Sequence, residues 1–400
     1  AQSKPSFPIP IKPIFAMSVP LDRLYNFLQD ICNQDVLIYR FLPHGSRKIE
    51  DCGPLYEYKN LDNVKMICHD QETLNFEDYS FLNTIYSIPV LNVLLTRYGN
   101  PLKVTGSEKP VLLLHSEIHS QDVAQFEKNG SIGVYWWCHA VIARDWYRYA
   151  EIDPILINPK APQKNFLIYN RSWTGLREYR IKFTELVLDH NLQDYCQLTF
   201  NPEDNGKHWL EHKFANSAFA PIRTDLDQYF QPSLAKSNAS ADYNQDDYVQ
   251  TAIEVVLETV FDDTKWHLTE KSLRPIACGH PFILASTPGI LKYLRRYGFQ
   301  TFGEYIDESY DDIQDPVIRL EAIVKLMRSL VDLSGQEQHQ LYVNLATICE
   351  HNKRRFFSRE FFDQVVNEFQ TNINQGFVIA GVQLGPGGVS TYSSMRSDKC

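Results

Sequence analysis

Three runs follow one another without a break: Thr251-Ala252-Ile253-Glu254-Val255-Val256-Leu257-Glu258-Thr259-Val260, then Phe261–His267, then Leu268-Thr269-Glu270-Lys271-Ser272-Leu273-Arg274-Pro275-Ile276-Ala277-Cys278-Gly279. The first is rich in β-branched residues and predicts a strand. The second is a polar loop. The third predicts a helix over Leu268–Cys278, stopped by Gly279. Pro281–Ala285 predicts a buried strand, and Thr287-Pro288-Gly289 opens a helix over Ile290–Tyr297 that Gly298 ends. Connections this short between alternating strands and helices make the strands parallel. The class is therefore α/β, and ligands in such sheets bind beyond the carboxyl ends of the strands.

Working outward, the pattern recurs on the N-terminal side. Pro5, Pro8, Pro10, Pro13 and Pro20 predict an extended lead-in. A helix is expected over about Leu21–Cys32, and strands over Asp35–Phe41, Val64–Cys68 and Val111–His115. Gly133–Tyr149 is dense in aromatic residues. Asn158–Lys164 is polar and proline-bearing and reads as a linker. A second series follows: strand Asn165–Asn170, helix Glu178–Asp189 and a strand near Gln197–Phe200. Residues 231–247 read as a surface loop, and about 317–370 as amphipathic helix. Four hundred residues exceed what one core usually serves. The expected division is an N-terminal Rossmann-like domain over 1–160, a C-terminal one over 161–335, helices over 336–384 that cross back to the first, and a flexible tail over 385–400.

The formal net charge of -10 argues against a general nucleic-acid coat protein. The eight cysteines have no close C-x-x-C pair, so they read as buried or incidental thiols in a reducing compartment. No apolar run approaches the ~20 residues of a membrane helix. Ala1-Gln2-Ser3-Lys4-Pro5 lacks the apolar core of a leader, and a cytoplasmic protein without a membrane partner is expected.

Thr269-Glu270-Lys271 is the strongest candidate for chemistry. It falls where a strand, a loop and a helix start meet. Free N–H groups of the first helical turn and the Lys271 charge suit a diphosphate, and Glu270 suits sugar hydroxyls. Thr followed by an acid is also ordinary helix-start chemistry. Arg171 follows the strand ending at Asn170, where its planar fork would grip phosphate oxygens; Arg177 and Arg180 read as an exposed helix face. Two strand ends of the first domain run into His69-Asp70-Gln71-Glu72 and His115-Ser116-Glu117-Ile118-His119. A base there would deprotonate an acceptor hydroxyl. Glu117 is the first choice, followed by Asp70 and then His115 or His119. His139, Trp137 and Glu72 are assigned to the acceptor pocket. Asp225-Leu226-Asp227 is an isolated D-x-D, and no metal site or phosphate-loop glycine pattern occurs.

Leu268–Ile276 with His280-Pro281-Phe282-Ile283 resembles the C-terminal signature of α-1,3-fucosyltransferase-like GT-B enzymes. It is closer still to glycosyltransferases encoded by tailed phages. Those continue with a leucine-rich helix, here Leu291–Arg296, then Gly298-Phe299-Gln300-Thr301-Phe302 and Asp307-Glu308-Ser309-Tyr310-Asp311. The resemblance covers about 250–325. It implies two Rossmann-like domains with parallel sheets facing a central cleft. It also implies donor contacts by Glu270 and Lys271, with Thr269 and Glu258 nearby, and a nucleoside-diphosphate sugar as co-substrate with no cofactor. From the phage-type proteins it implies a modified pyrimidine of phage DNA as acceptor, such as 5-hydroxymethylcytosine or its glycosylated form, and a hexose or arabinose as the sugar. Lys292, Arg295, Arg296 and Lys353-Arg354-Arg355 would then meet DNA phosphates or simply be solvated helix faces. A saccharide or protein acceptor, and a binding module without turnover, stay open beside it.

Overall fold

The computed structural model describes residues 23–32, 37–40, 53–54, 65–68, 73–74, 111–153, 162–232, 241 and 244–381. The first unit contains α1 (Leu24–Cys32), β1 (Leu37–Arg40), β2 (Gly53–Pro54), β3 (Lys65–Cys68), β4 (Val111–His115), α2 (Gln121–Lys128), β5 (Ser131–Tyr135) and α3 (Cys138–Trp146). Its sheet runs β2-β1-β3-β4-β5, with β2 antiparallel and the other pairings parallel. In register, Lys65–Cys68 face Val111–Leu114, and Val111–His115 face Ser131–Tyr135.

The second unit contains β6 (Lys164–Asn170), α4 (Tyr179–Asp189), β7 (Cys196–Phe200), the hairpin β8 (Glu203–Asp204) and β9 (Lys207–His208), α5 (Gln245–Gln250), β10 (Thr251–Leu257), α6 (Glu270–Cys278), β11 (Phe282–Ala285) and α7 (Ile290–Arg296). Its main sheet runs β11-β10-β6-β7, parallel throughout. All seven residues of β10 are buried. A strand flanked on both edges and covered on both faces is mostly apolar, and its one ionisable residue, Glu254, is paired with buried Arg274 at 2.6 Å. Gly279 ends α6 in the left-handed region at φ 68°, where glycine carries no steric penalty.

Three helices complete the chain: α8 (Pro316–Val331), α9 (Gly335–Phe357) and α10 (Arg359–Ile379). Asn352 of α9 clamps the backbone of Gln300 from both sides, accepting from its N–H and donating to its carbonyl at 2.8 Å each. Arg144 of α3 donates to the carbonyls of Phe356, Phe357 and Ser358, where α9 gives way to α10. From that corner α10 runs across the first unit and packs on β5, α3 and α1. Its Phe369 stacks on Trp136 with centroids 4.8 Å apart.

The architecture is α/β with parallel sheets, and the expected strands fall within a few residues of those seen. Two local readings differ. Residues 245–247, expected in a loop, begin α5, because Asn244 accepts the N–H of Asp246 and caps a turn there. The aromatic stretch from Gly133 contains the second half of β5, whose aromatic residues are shared with the α3 entry and hide the strand period. Residues 158–161 of the linker and the tail over 385–400 lie outside the described residues, and Lys164 at the linker's end begins β6.

Gly376 sets how closely α10 approaches the first sheet. A Cβ there would stand 3.0 Å from both Leu112 Cδ2 and Val134 Cγ2. Gly376→Val is expected to lower unfolding stability by about 1–3 kcal/mol through overpacking, read by urea denaturation. An unchanged midpoint would mean that α10 is not seated on β4 and β5.

Candidate functional site

The carboxyl edge of β10 is organised by Glu258, which is fully buried. One carboxylate oxygen accepts the Thr269 N–H at 3.1 Å and the Ser272 hydroxyl at 2.5 Å. The other accepts the Thr269 hydroxyl at 2.8 Å and the Thr259 N–H at 3.1 Å. Thr269 in turn caps α6, accepting the Lys271 N–H at 3.3 Å. Glu258 and Thr269, both expected to contact the donor, are therefore occupied in building the start of α6. Such a carboxylate fixes where Glu270 and Lys271 emerge.

Lys271 Nζ lies 3.0 Å from Glu270 Oε1, 3.2 Å from Thr269 Oγ1 and 3.4 Å from Thr259 Oγ1. Its side chain keeps 22% of its exposure, so the ammonium remains reachable from outside. Glu270 Oε2 faces His139 Nδ1 at 3.3 Å, a contact across the junction between the two units. Burial alone would push the Glu270 carboxyl up, but Lys271 and His139 together outweigh it and hold it well below the usual range. His139 is buried, and the ring of His267 stands edge-on to it with centroids 5.1 Å apart. His267 Nδ1 lies 3.2 Å from the Ser116 hydroxyl, and burial keeps the ring neutral.

Arg171 follows β6, the strand beside β10, and lies within the electrostatic reach of Glu270, Arg180 and Asp204. Its loop is held by Asp204, whose Oδ2 accepts the Ser172 hydroxyl, the Trp173 and Thr174 N–H groups and the Thr174 hydroxyl at 2.7–2.9 Å. Asn201 holds the Arg171 carbonyl at 2.9 Å. Arg180, expected on an exposed helix face, is instead buried. Its guanidinium donates to the carbonyls of Ser172, Leu257 and Glu258 at 2.7, 2.5 and 3.0 Å. It ties the ends of β6 and β10 together and adds positive charge under the edge. A spacing that places it on the same face as buried Phe183 and Thr184 was the available signal.

The first unit meets this edge through loop 115–120. Ile118 and Trp266 exchange backbone hydrogen bonds of 3.0 and 2.8 Å, an antiparallel bridge between the loops that follow β4 and β10. Below it, buried Lys265 donates to Asp122 and to the Leu74 carbonyl at 2.8 Å each, with Glu117 Oε2 at 3.6 Å. Sequence reasoning did not single out Lys265, His267 or Ser116, because their roles arise only from the pairing of two distant loops.

Glu117 does not stand open to a substrate. Its oxygens accept the Leu74 N–H and the Ser120 hydroxyl at 2.6 Å each, and its side chain is buried. Burial raises its carboxyl above the ordinary range despite Lys265. His115 is buried as well, pushed down to about 4 by burial, and its Nδ1 receives the Glu117 N–H. Trp137, assigned to the acceptor, is fully buried between Tyr293, Tyr297 and Phe361, and its indole N–H donates to the Leu268 carbonyl at 2.9 Å. It is a packing residue of the junction. His119 is exposed, edge-on to Trp266 at 4.8 Å. Asp70 and Glu72 lie outside the described residues.

Other singled-out groups have local partners. Asp225 is gripped by Arg223 at 2.8 and 2.9 Å, and Asp227 lies 3.8 Å from His208. Lys292, Arg295, Arg296 and Arg354 pair with Asp312, Glu308, Glu368 and Glu350. Lys353 donates to the Asp153 carbonyl, and Arg355 to the Tyr297 carbonyl at 2.9 Å. Among the described residues no group of three His, Cys, Asp or Glu side chains is placed to hold a metal ion, and no helix is long and apolar enough to cross a membrane. No protein-family model, curated protein or solved structure matches the chain.

The 298–311 stretch is a scaffold for α7. Glu308 accepts the Phe302 N–H at 2.6 Å and the Thr301 hydroxyl at 2.8 Å. Asp311 accepts the Leu291 N–H at 3.2 Å, and burial pushes its carboxyl up to about 6. Between the unfolded value near 3.8 and about 6 the folded chain holds a proton that the unfolded chain has lost. The Asp311 contribution to stability therefore falls as pH rises through that window. Asp311→Asn is expected to flatten this slope and to be roughly 2–3 kcal/mol more stable than the parent near pH 7, read by denaturant unfolding from pH 4 to 7. A stability difference between Asp311→Asn and the parent that does not grow from pH 4 to 7 would overturn the assignment.

Glu258→Gln must turn its amide nitrogen toward the N–H of either Thr269 or Thr259. A loss of about 1–3 kcal/mol is expected from the stranded donor. Thermal unfolding unchanged from the parent would show that the clamp is not formed.

Proposed function

We propose that this chain is a glycosyltransferase of GT-B architecture, moving a sugar from a nucleoside-diphosphate sugar to an acceptor hydroxyl. The observation that carries the reading is Lys271 and Glu270 together at the carboxyl edge of the second sheet, with Glu270 against His139 of the first unit and Arg171, after the neighbouring strand, within electrostatic reach of Glu270. A partly exposed lysine side chain whose ammonium lies beside two threonine hydroxyls, with a guanidinium one strand away, suits the charge and the oxygen geometry of a diphosphate. These two cations would receive the charge that develops on the departing nucleoside diphosphate. The start of α6 adds the positive end of a helix. Glu270, held ionised, is suited to accept hydrogen bonds from ribose or sugar hydroxyls. The two-domain arrangement with its cleft belongs to the same proposal.

The acceptor is left at the level of a hydroxyl. A modified pyrimidine in DNA is the reading that the tailed-phage resemblance favours. The cations considered for phosphate contact are paired with neighbouring carboxylates or carbonyls, so this acceptor draws no support from a basic track among the described residues.

Isothermal calorimetry with UDP, GDP, ATP and NAD tests the donor site. A nucleoside diphosphate of the UDP or GDP type is expected to bind. Lys271→Ala and Arg171→Ala should each weaken it about tenfold to a hundredfold, the loss of a charge-assisted hydrogen bond. Preference for ATP or NAD, or binding indifferent to both substitutions, would sink the reading.

A further inference from the structure

We infer that His139 and Glu270 form a carboxylate–imidazole dyad assembled across the junction, with His139 Nε2 accepting the proton of the attacking hydroxyl. This rests on the glycosyltransferase reading and supplies the base that reading needs. The residues of loop 115–120 do not supply it, since Glu117 has both oxygens engaged and His115 Nδ1 receives the Glu117 N–H.

His139 has the placement that those residues lack. Its Nδ1 is 3.3 Å from Glu270 Oε2, within contact but off the direction of a full hydrogen bond. The other oxygen of that carboxylate is 3.0 Å from Lys271, so Glu270 is held from both sides and cannot swing away. A carboxylate on Nδ1 fixes the tautomer that leaves Nε2 as a bare acceptor. That Nε2 is buried and has no hydrogen-bond partner among the described residues. Neither has Nε2 of His267, whose ring stands against it. Buried ring nitrogens are nearly always partnered. Two Nε2 atoms in adjacent rings, beside the group proposed to hold the diphosphate and with no partner among the described residues, fit a place where an acceptor hydroxyl would sit. Unaligned contacts of this kind tighten when substrate binds.

In the step, the acceptor O–H bond breaks and its proton passes to His139 Nε2. The oxygen's electron pair forms the bond to the anomeric carbon. The bond from that carbon to the diphosphate oxygen breaks, its pair leaving with the nucleoside diphosphate toward Lys271 and Arg171. Glu270 stabilises the imidazolium that results. A single displacement of this kind inverts the anomeric centre. His139 comes from the first unit and Lys271 from the second, so the site is complete only while the Ile118–Trp266 bridge is closed.

The test uses UDP and GDP as binding probes and UDP-glucose and GDP-mannose as donors, with water standing in for the acceptor. His139→Gln is expected to bind the preferred nucleoside diphosphate with an unchanged Kd. Its release of nucleoside diphosphate from the matching sugar should fall about a hundredfold, the scale of one general base. Long-range proton–nitrogen NMR of the parent in alkaline buffer should show His139 as the Nδ1–H tautomer, and Glu270→Gln should disturb it. If the parent binds neither nucleotide, the glycosyltransferase reading fails and the dyad with it. If it binds but releases nothing, or if His139→Gln turns over at the parental rate, or if His139 carries its proton on Nε2, the dyad alone is overturned.

Discussion

The exchange of two backbone hydrogen bonds between Ile118 and Trp266 is the constraint on which the rest of the site depends. It joins the loop after β4 to the loop after β10, two segments that neither sheet would bring together alone. Once they are joined, Lys265 meets Asp122 and Glu117, His267 meets Ser116, and His139 meets Glu270. Each of these is a polar contact in a dry setting, where a missing partner costs more than a made bond contributes. The junction is therefore of an all-or-none kind: displacement of either loop strands several buried groups at once.

Within the second unit, charge is arranged in two tiers. Glu258 and Arg180 lie below the edge, fully engaged with backbone and hydroxyl groups of the loops. Glu270 and Lys271 lie above it, with Lys271 partly exposed. The lower tier gives the upper one its geometry. Arg171 lies after the neighbouring strand within electrostatic reach of Glu270, its loop held by Asp204 and Asn201. This division explains why charged residues gathered around the same two strand ends have such different surroundings.

The α/β class was legible in the run from Thr251 to Ala285, because apolar β-branched strands, a capped helix and a glycine stop agree there at every level. Glu270 and Lys271 were legible for the same reason: a helix start fixes which residues face the sheet edge. Arg171 could be read from its place after Asn170. Arg180 was harder to read: its spacing from Phe183 and Thr184 was the one local signal, and its partners are the carbonyl ends of two strands that converge on one helix face. Trp137 and Glu117 were misread by a common route. Both are polar-tipped or charged residues near strand ends, and their partners, the Leu268 carbonyl and the Leu74 N–H, are contributed by segments distant in the chain. Local pattern carries no information on such partners. His139 was read as an acceptor-pocket residue, and nothing in its neighbourhood along the chain points to Glu270.

The seating of α10 on β5 through Gly376 has a consequence for how the protein is made. The face of β4 and β5 that holds Leu112 and Val134 is covered by residues near position 376, more than two hundred positions downstream. During synthesis that apolar face waits, uncovered, until almost the whole of the second unit has left the ribosome. Exposed apolar surface of this kind is prone to association, so the maturation of the early half is tied to the translation of the late half.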